Sequence, residues 1–204
     1  MRDLIAAFSS AAKAALVSRG WKKRAGQIFT QDLDGEFFAW LGLNRASKYH
    51  PLEVHPVIGV GHEPATVLEA RLRGVPPGRT PILSEPLVYL GPSGKRMAEL
   101  RISGLAEVGP VVARLIELVE RSGLPFARPL ATRDAMVAAL RGRKHLAVDQ
   151  YALTSLPAVL ASFGSKAEAR EAMAASVVEL GERSDPAAAD VRRFADALSR
   201  HLDG

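Results

Sequence analysis

The chain contains no cysteine. That excludes disulfide frameworks, thiolate zinc sites, iron–sulfur clusters and cysteine nucleophiles together. Long apolar runs are also missing: the densest, Phe37 to Leu43, has a glycine inside it and falls far short of the roughly 18 to 20 residues a membrane-spanning helix needs. Low-complexity and collagen-like stretches do not occur, and a composition 48% apolar and 24% charged is that of a folded globular chain. With 204 residues there is enough for one ordinary core, or for an α+β domain with a helical extension, and too little for two full-sized domains. The first twenty residues are alanine-rich in the manner of a secretory leader. Asp3, however, stands where a leader is basic, and Ser9, Ser10 and Lys13 interrupt the apolar stretch. The expectation is a cytoplasmic protein with no membrane attachment.

What is present is a change of apolar spacing along the chain. Leu4, Ile5, Phe8, Ala12 and Leu16 recur at helical spacing and predict an amphipathic first helix closed by Gly20. Beyond it, Gln27 to Leu33 reads as a strand, Asp34-Gly35 as a hairpin turn and Glu36 to Asn44 as the returning strand. The returning strand is apolar on both faces, which predicts a central position covered on both sides. A third strand is expected from Leu52 to Val60, with Pro56 marking a bulge or an edge because proline has no N–H for a ladder. Glu63 to Arg73 reads as a short helix on Val67, Leu68 and Leu72, followed by a proline-bearing loop from Val75 to Glu85. Leu87 to Leu90 and Met97 to Ile102 read as two further strands about the turn Gly91-Pro92-Ser93-Gly94.

After Gly104 only helix and turn signals remain. Helices are expected from Pro110 to Gly123, with Val112, Leu115, Ile116 and Val119 inward, from Thr132 to Gly142, and from Ala147 to Phe163 with a break or kink near Thr154 imposed by Pro157. A capping box, Ser165 to Glu168, opens a fourth and Asp185-Pro186 a fifth, with Val191, Phe194, Leu198 and Leu202 inward. The fold class is therefore expected to be α+β. An N-terminal helix and about five mostly antiparallel strands occupy residues 1–104, and the helices of 105–204 pack on the sheet as one unit, with a soft boundary near Gly104 or Leu124.

Few residues stand in patterns that carry chemistry. Gly91 to Arg96 is similar to the end of a phosphate-binding loop, but Tyr89 replaces its first glycine and Arg96 its magnesium-binding hydroxyl, so a polar turn is the better reading. Gly59-Val60-Gly61 has Pro64 where a dinucleotide fingerprint needs its third glycine. His50, His55 and His62 fall close together, yet strand parity puts His55 on the opposite face from the other two, against a metal site. His145 and His201 have no nucleophile signature beside them. Asp32 and Asp34 share a strand face, and their hairpin position accounts for them through bonds to their own backbone. No catalytic, metal-binding or cofactor-binding residue is assigned, and no cofactor is expected.

The charge is uneven. Residues 1–104 hold 14 basic and 9 acidic side chains, while residues 105–204 hold 13 of each, so the whole excess of +5 is N-terminal. It concentrates at Arg19, Lys22, Lys23 and Arg24, where cations complement the end of the first helix and where only Trp21 and Phe29 are nearby aromatics. A second group, Arg141, Arg143, Lys144 and His145, follows the Gly142 helix stop. If folding brought the groups together, Lys22, Lys23, Arg24, Arg143 and Lys144 would form a composite face for an anion or nucleic acid. Trp21, Trp40 and Phe126 read as core anchors, and Lys22 and Lys23 as exposed.

Gly20-Trp21-Lys22-Lys23, the Phe29 strand, Trp40-Leu41-Gly42-Leu43, Val57-Ile58-Gly59-Val60 and Gly123-Leu124-Pro125-Phe126, taken in order, resemble a loose group of uncharacterised bacterial α+β domains. Most of the chain takes part. The resemblance implies a helix, a sheet and helices around a Leu-Pro-Phe turn, in motifs that look structural, and it carries no functional residue. Some similar domains stand in toxin-immunity or defence contexts, which implies a non-enzymatic protein with another protein as partner, immunity-like or accessory. The other readings are a nucleic-acid or anion binder that uses the basic residues named above, and an enzyme with a site of unfamiliar form. Phe163-Gly164 with Glu168-Ala169 and Met173 also looks like half of a tetratricopeptide hairpin, but no copy recurs at the period of about 34 residues.

Overall fold

A computed structural model describes residues 1–48, 50–91, 99–147 and 151–204. Helix α1 (Arg2–Val17) buries Leu4, Phe8, Ala12 and Leu16, the stripe its spacing predicts. Strands β1 (Lys22–Lys23), β2 (Ile28–Asp32), β3 (Phe37–Ala46) and β4 (Leu52–His62) follow, then helix α2 (Glu63–Arg73) and strands β5 (Leu83–Pro86) and β6 (Leu100–Ile102). The remainder is helical: α3 (Val108–Leu118), a π turn at Val119–Gly123, α4 (Leu124–Leu130), α5 (Arg133–Arg141), α6 (Ala152–Ser162), α7 (Lys166–Leu180) and α8 (Pro186–Asp203). The fold is α+β, with helix first, then an antiparallel sheet, then helices.

The sheet runs β1-β2-β3-β4-β5, with β6 also paired to β4, and every pairing is antiparallel. Gly35 makes the β2–β3 turn in the left-handed region, at φ 63°, as the Asp-Gly pair predicts. The β3–β4 ladder pairs one residue to one from Phe37–His62 to Ala46–Glu53. No bulge occurs at Pro56; the edge expected there is local, within a strand otherwise paired on both sides. On the far side of β4, β5 pairs Val57 to Val60 and β6 pairs Leu52 to Val54, which leaves a gap at residues 55 and 56. Leu43, opposite Pro56, sends its N–H to Gln27 on the other side, so the Leu43–Pro56 pair exchanges no hydrogen bonds and the donor that proline lacks falls in that gap.

One sheet face carries Phe29, Ala39, Leu41, Leu43, Ile58 and Val60 into the main core together with α1, α3 and α4. Gly123 lets the helical run pass close over this face: a Cβ there would lie 3.1 Å from Leu87 and 3.4 Å from Ile58. The helix accordingly does not stop at Gly123, as its glycine suggests, but continues through the π turn into α4, with Pro125 in the first turn where its missing N–H costs little. On the other face, side chains of the sheet itself and of the proline loop lie against glycines. Phe38 lies across Gly61, Trp40 across Gly42, and Pro81 of the proline loop across Gly59. Phe38 is thereby buried, and the Arg79 guanidinium sits 5.2 Å above its ring. Trp21 is a core anchor, 3% exposed, whereas Trp40 and Phe126 are only partly buried.

Several local expectations are corrected. The strand after the proline loop is Leu83–Pro86, and Leu87–Tyr89 is instead a 3-10 turn. The last strand begins at Leu100; Met97 and the turn proposed around residues 92–94 lie outside the described residues. Pro157 sits inside α6 without ending it, since one turn precedes it and only the carbonyl of Leu153 loses its helical donor. Ser165 precedes α7 but makes no side-chain cap. Arg133 of α5 donates to both Ser165 Oγ and Glu168 Oε1 at 3.0 Å, and Arg141 donates to Glu168 Oε2 at 3.0 Å, so arginines have taken both halves of the expected box.

Candidate functional site

The two basic groups do not meet. Lys22 and Lys23 are β1, one end of the strand order, while His145 O accepts the amide of Ser84 on β5 at 2.7 Å, which fixes the second group at the opposite end. Four strand spacings, about 19 Å, separate them. Each group is also engaged locally. Lys22 pairs with Asp32 across the ladder; Lys23 Nζ donates to the carbonyls of Arg24 and Gly26 and lies 5.1 Å from the Phe29 ring centre. Desolvation, and then the charge of Lys13, lowers the Lys23 pKa. On the far edge Arg143 pairs with Glu179, Arg141 with Glu168, and His145 Nδ1 lies 3.2 Å from Glu85. Lys144 stands beside them.

Asp32 accepts from Lys22 and from Arg79 (2.5 Å), and these two bonds hold its carboxyl below the usual range. It acts as a structural counter-ion, which corrects the turn-bonding role expected for it. Among the described residues no group of three or more histidines and carboxylates is placed to hold a metal. His50 contacts the carbonyl of Ser103 at 2.9 Å, and His55 faces Glu53 at 3.5 Å.

The third member of that sequence cluster, His62, takes part in an arrangement that residue spacing gave no sign of. Its ring is 1% exposed, stacked on Phe163 with centroids 4.3 Å apart and tilted against Phe37 at 4.9 Å. Ser162 Oγ lies 3.3 Å from Nδ1, and Glu36 lies 3.6 Å from Nε2. A serine, a histidine and a carboxylate in line invite comparison with a nucleophilic triad. The hydroxyl proton, however, is donated to the carbonyl of Val159 at 2.7 Å and so points away from the imidazole. That is the reverse of activation, and burial lowers the His62 pKa further toward a neutral ring. The line joins the β3–β4 end of the sheet to the end of α6.

Arg24 differs from its neighbours. Its Nε donates to Thr30 Oγ1 at 2.9 Å, and it has no carboxylate partner among the described residues. It stands at the rim of a groove of about 530 Å³ between the turn after β1, the start of α2 and the proline loop. Ala25, Ile28, Val67 and Pro77 give the groove its apolar walls. Val67, an inward residue by helical spacing, is 45% exposed here, because α2 turns Ala65, Thr66, Leu68 and Ala70 inward instead. On the opposite rim Arg79 is saturated by Asp32 and Glu63, and its pKa is raised by those bonds despite an opposing desolvation. The groove is thus apolar within, neutralised on one side and cationic on the other. No protein-family model matches the chain, and no curated protein or solved structure shows significant similarity to it.

Proposed function

We propose that this protein works by binding another protein, and that the groove beside Arg24 receives an extended segment of the partner carrying apolar side chains and a carboxylate. The observation that supports this reading is the Arg24 guanidinium, which has no carboxylate partner among the described residues, at the rim of a groove walled by Ala25, Ile28, Val67 and Pro77. Apolar walls supply affinity through area removed from water, and a cation without a counter-ion selects an acidic group at the rim. Nucleic acid is the less favoured partner, since Lys22, Lys23 and Arg24 lie at the opposite sheet edge from Arg143 and Lys144 and present no continuous track for a phosphate backbone.

The test is capture of partners by the tagged full chain from its own cell lysate, with and without nuclease, alongside Arg24→Glu and Val67→Asp. Both positions are exposed, so the variants keep the fold. A stoichiometric protein that survives nuclease and is lost from both variants is the expected result. Recovery of nucleic acid that nuclease removes, a partner retained by both variants, or a bare bait would each overturn it.

A further inference from the structure

On the other side of α2 lies a second groove, of about 490 Å³, between the end of that helix and α8. Four arginines line it, Arg71 and Arg73 from α2 and Arg193 and Arg200 from α8, against two carboxylates, Asp190 and Asp196. Their engagements differ. Arg73 is held by Glu69, by Asp190 and by Thr154 Oγ1 at 2.8 Å, and Arg193 reaches Asp190 at 3.1 Å. Arg71 has only the His201 ring, with Nη2 3.2 Å from Nδ1, and Arg200 has no polar partner among the described residues.

Cations in the last turn of a helix complement its dipole, and that accounts for part of the set. It does not account for Arg193, ten residues before the end of α8 and facing the same space. Nor does it explain a guanidinium set against a histidine instead of a carboxylate. The His201 pKa is lowered, first by desolvation and then by the charges of Arg71 and Lys166, as expected where positive potential is left uncompensated. Leu72 and Ala197 add apolar wall beside the charges, while Phe194 lies buried beneath Arg73.

We infer that the α2–α8 groove is a binding site for a small phosphorylated molecule, with Arg71, Arg193 and Arg200 donating to its phosphoryl oxygens and Leu72 and Ala197 flanking the rest. Guanidinium forks pair with phosphate through parallel N–H donors, and two of these three enter the site without a carboxylate to displace. Asp190 holds Arg73 back from the ligand and fixes its plane over Phe194, at 5.5 Å from the ring centre. This site is separate from the Arg24 groove, and neither reading depends on the other.

Inorganic pyrophosphate is the probe, titrated by calorimetry into the full chain at constant ionic strength, with sodium sulfate and a random-sequence DNA duplex as parallel ligands. The comparison includes Arg71→Gln, Arg200→Gln and the exposed control Arg114→Gln. The expected result is saturable pyrophosphate binding, weakened about tenfold by each groove variant and unchanged in the control, with sulfate binding more weakly. Binding that the groove variants leave intact, absence of saturable binding, or equal affinity for sulfate would overturn the inference. Tight duplex binding lost from the same two variants would also overturn it, since the groove would then serve a nucleic-acid backbone. Thermal melts of each variant confirm that loss of binding is not loss of fold.

Discussion

Gly61 and Phe38 face each other across the β3–β4 ladder, and the ring occupies the volume a side chain would need. A Cβ on Gly61 would lie 2.3 Å from Phe38 Cζ, the same distance that separates a Cβ on Gly42 from Trp40. Rings laid over glycines are how this sheet buries part of its second face. Gly61→Ala is therefore expected to cost about 2 kcal/mol through overpacking, and to lower the melting temperature by about 4 to 8 °C for a chain of this size. Gly78→Ala, with nothing within 4 Å of its Cβ position, is the control expected to leave the melt unchanged. The Gly-x-Gly pair at 59 and 61 was visible in the sequence. That its purpose is to admit Pro81 and Phe38 was not, because neither neighbour can be read from spacing along one strand.

Among the elements, the two helix starts that look equally strong in sequence differ in substance. Asp185 accepts from the amides of Ala187 and Ala188, both at 3.1 Å, and its carboxyl is held below the usual range first by Arg183 and then by Ala188. Ser165 makes no such bond, since its hydroxyl and Glu168 belong to Arg133. Asp185→Ala is expected to lower the urea midpoint, at constant slope, by clearly more than Ser165→Ala does. Helix content was legible through most of the C-terminal half because apolar spacing sets it; α4, whose Leu-Pro-Phe segment read as a turn, was not. Cap usage was not, since the competing arginine lies 32 residues away in sequence. Pro56 teaches the same lesson in the sheet: its lack of a donor was plain, but the gap between β5 and β6 that absorbs it exists only once both strands pair with β4.

For the molecule as a whole, the His62 contacts tie the end of the sheet to the helical part through Phe37, Phe163 and Ser162. Burial lowers its pKa below the ordinary 6.5, with Glu36 opposing the shift. The unfolded chain then binds more protons than the native one between the lowered value and 6.5, so stability rises with pH across that window and is lost as pH falls through it. Unfolding midpoints are expected to fall from about pH 7 to about pH 5 and to fall less in His62→Phe, which keeps the ring stack. His201 shifts in the same direction but is present in both proteins, so the difference between them isolates His62. Equal slopes for the two proteins would refute the linkage.

Apolar period, turn residues and charge count were enough, without coordinates, to determine a helix, an antiparallel sheet and a helical second half, because each is a local property of the backbone and its immediate side chains. They also placed the positive excess in the first half of the chain. Only the tertiary structure decided which charges are spent and which remain. Lys22, Lys23 and Arg143, candidates by sequence, are taken up by Asp32, by backbone carbonyls and by Glu179. Among the described residues Arg24, Arg71 and Arg200 have no carboxylate partner. Whether a cation is neutralised depends on groups brought to it from distant parts of the chain, and that pairing is a property of the packed elements.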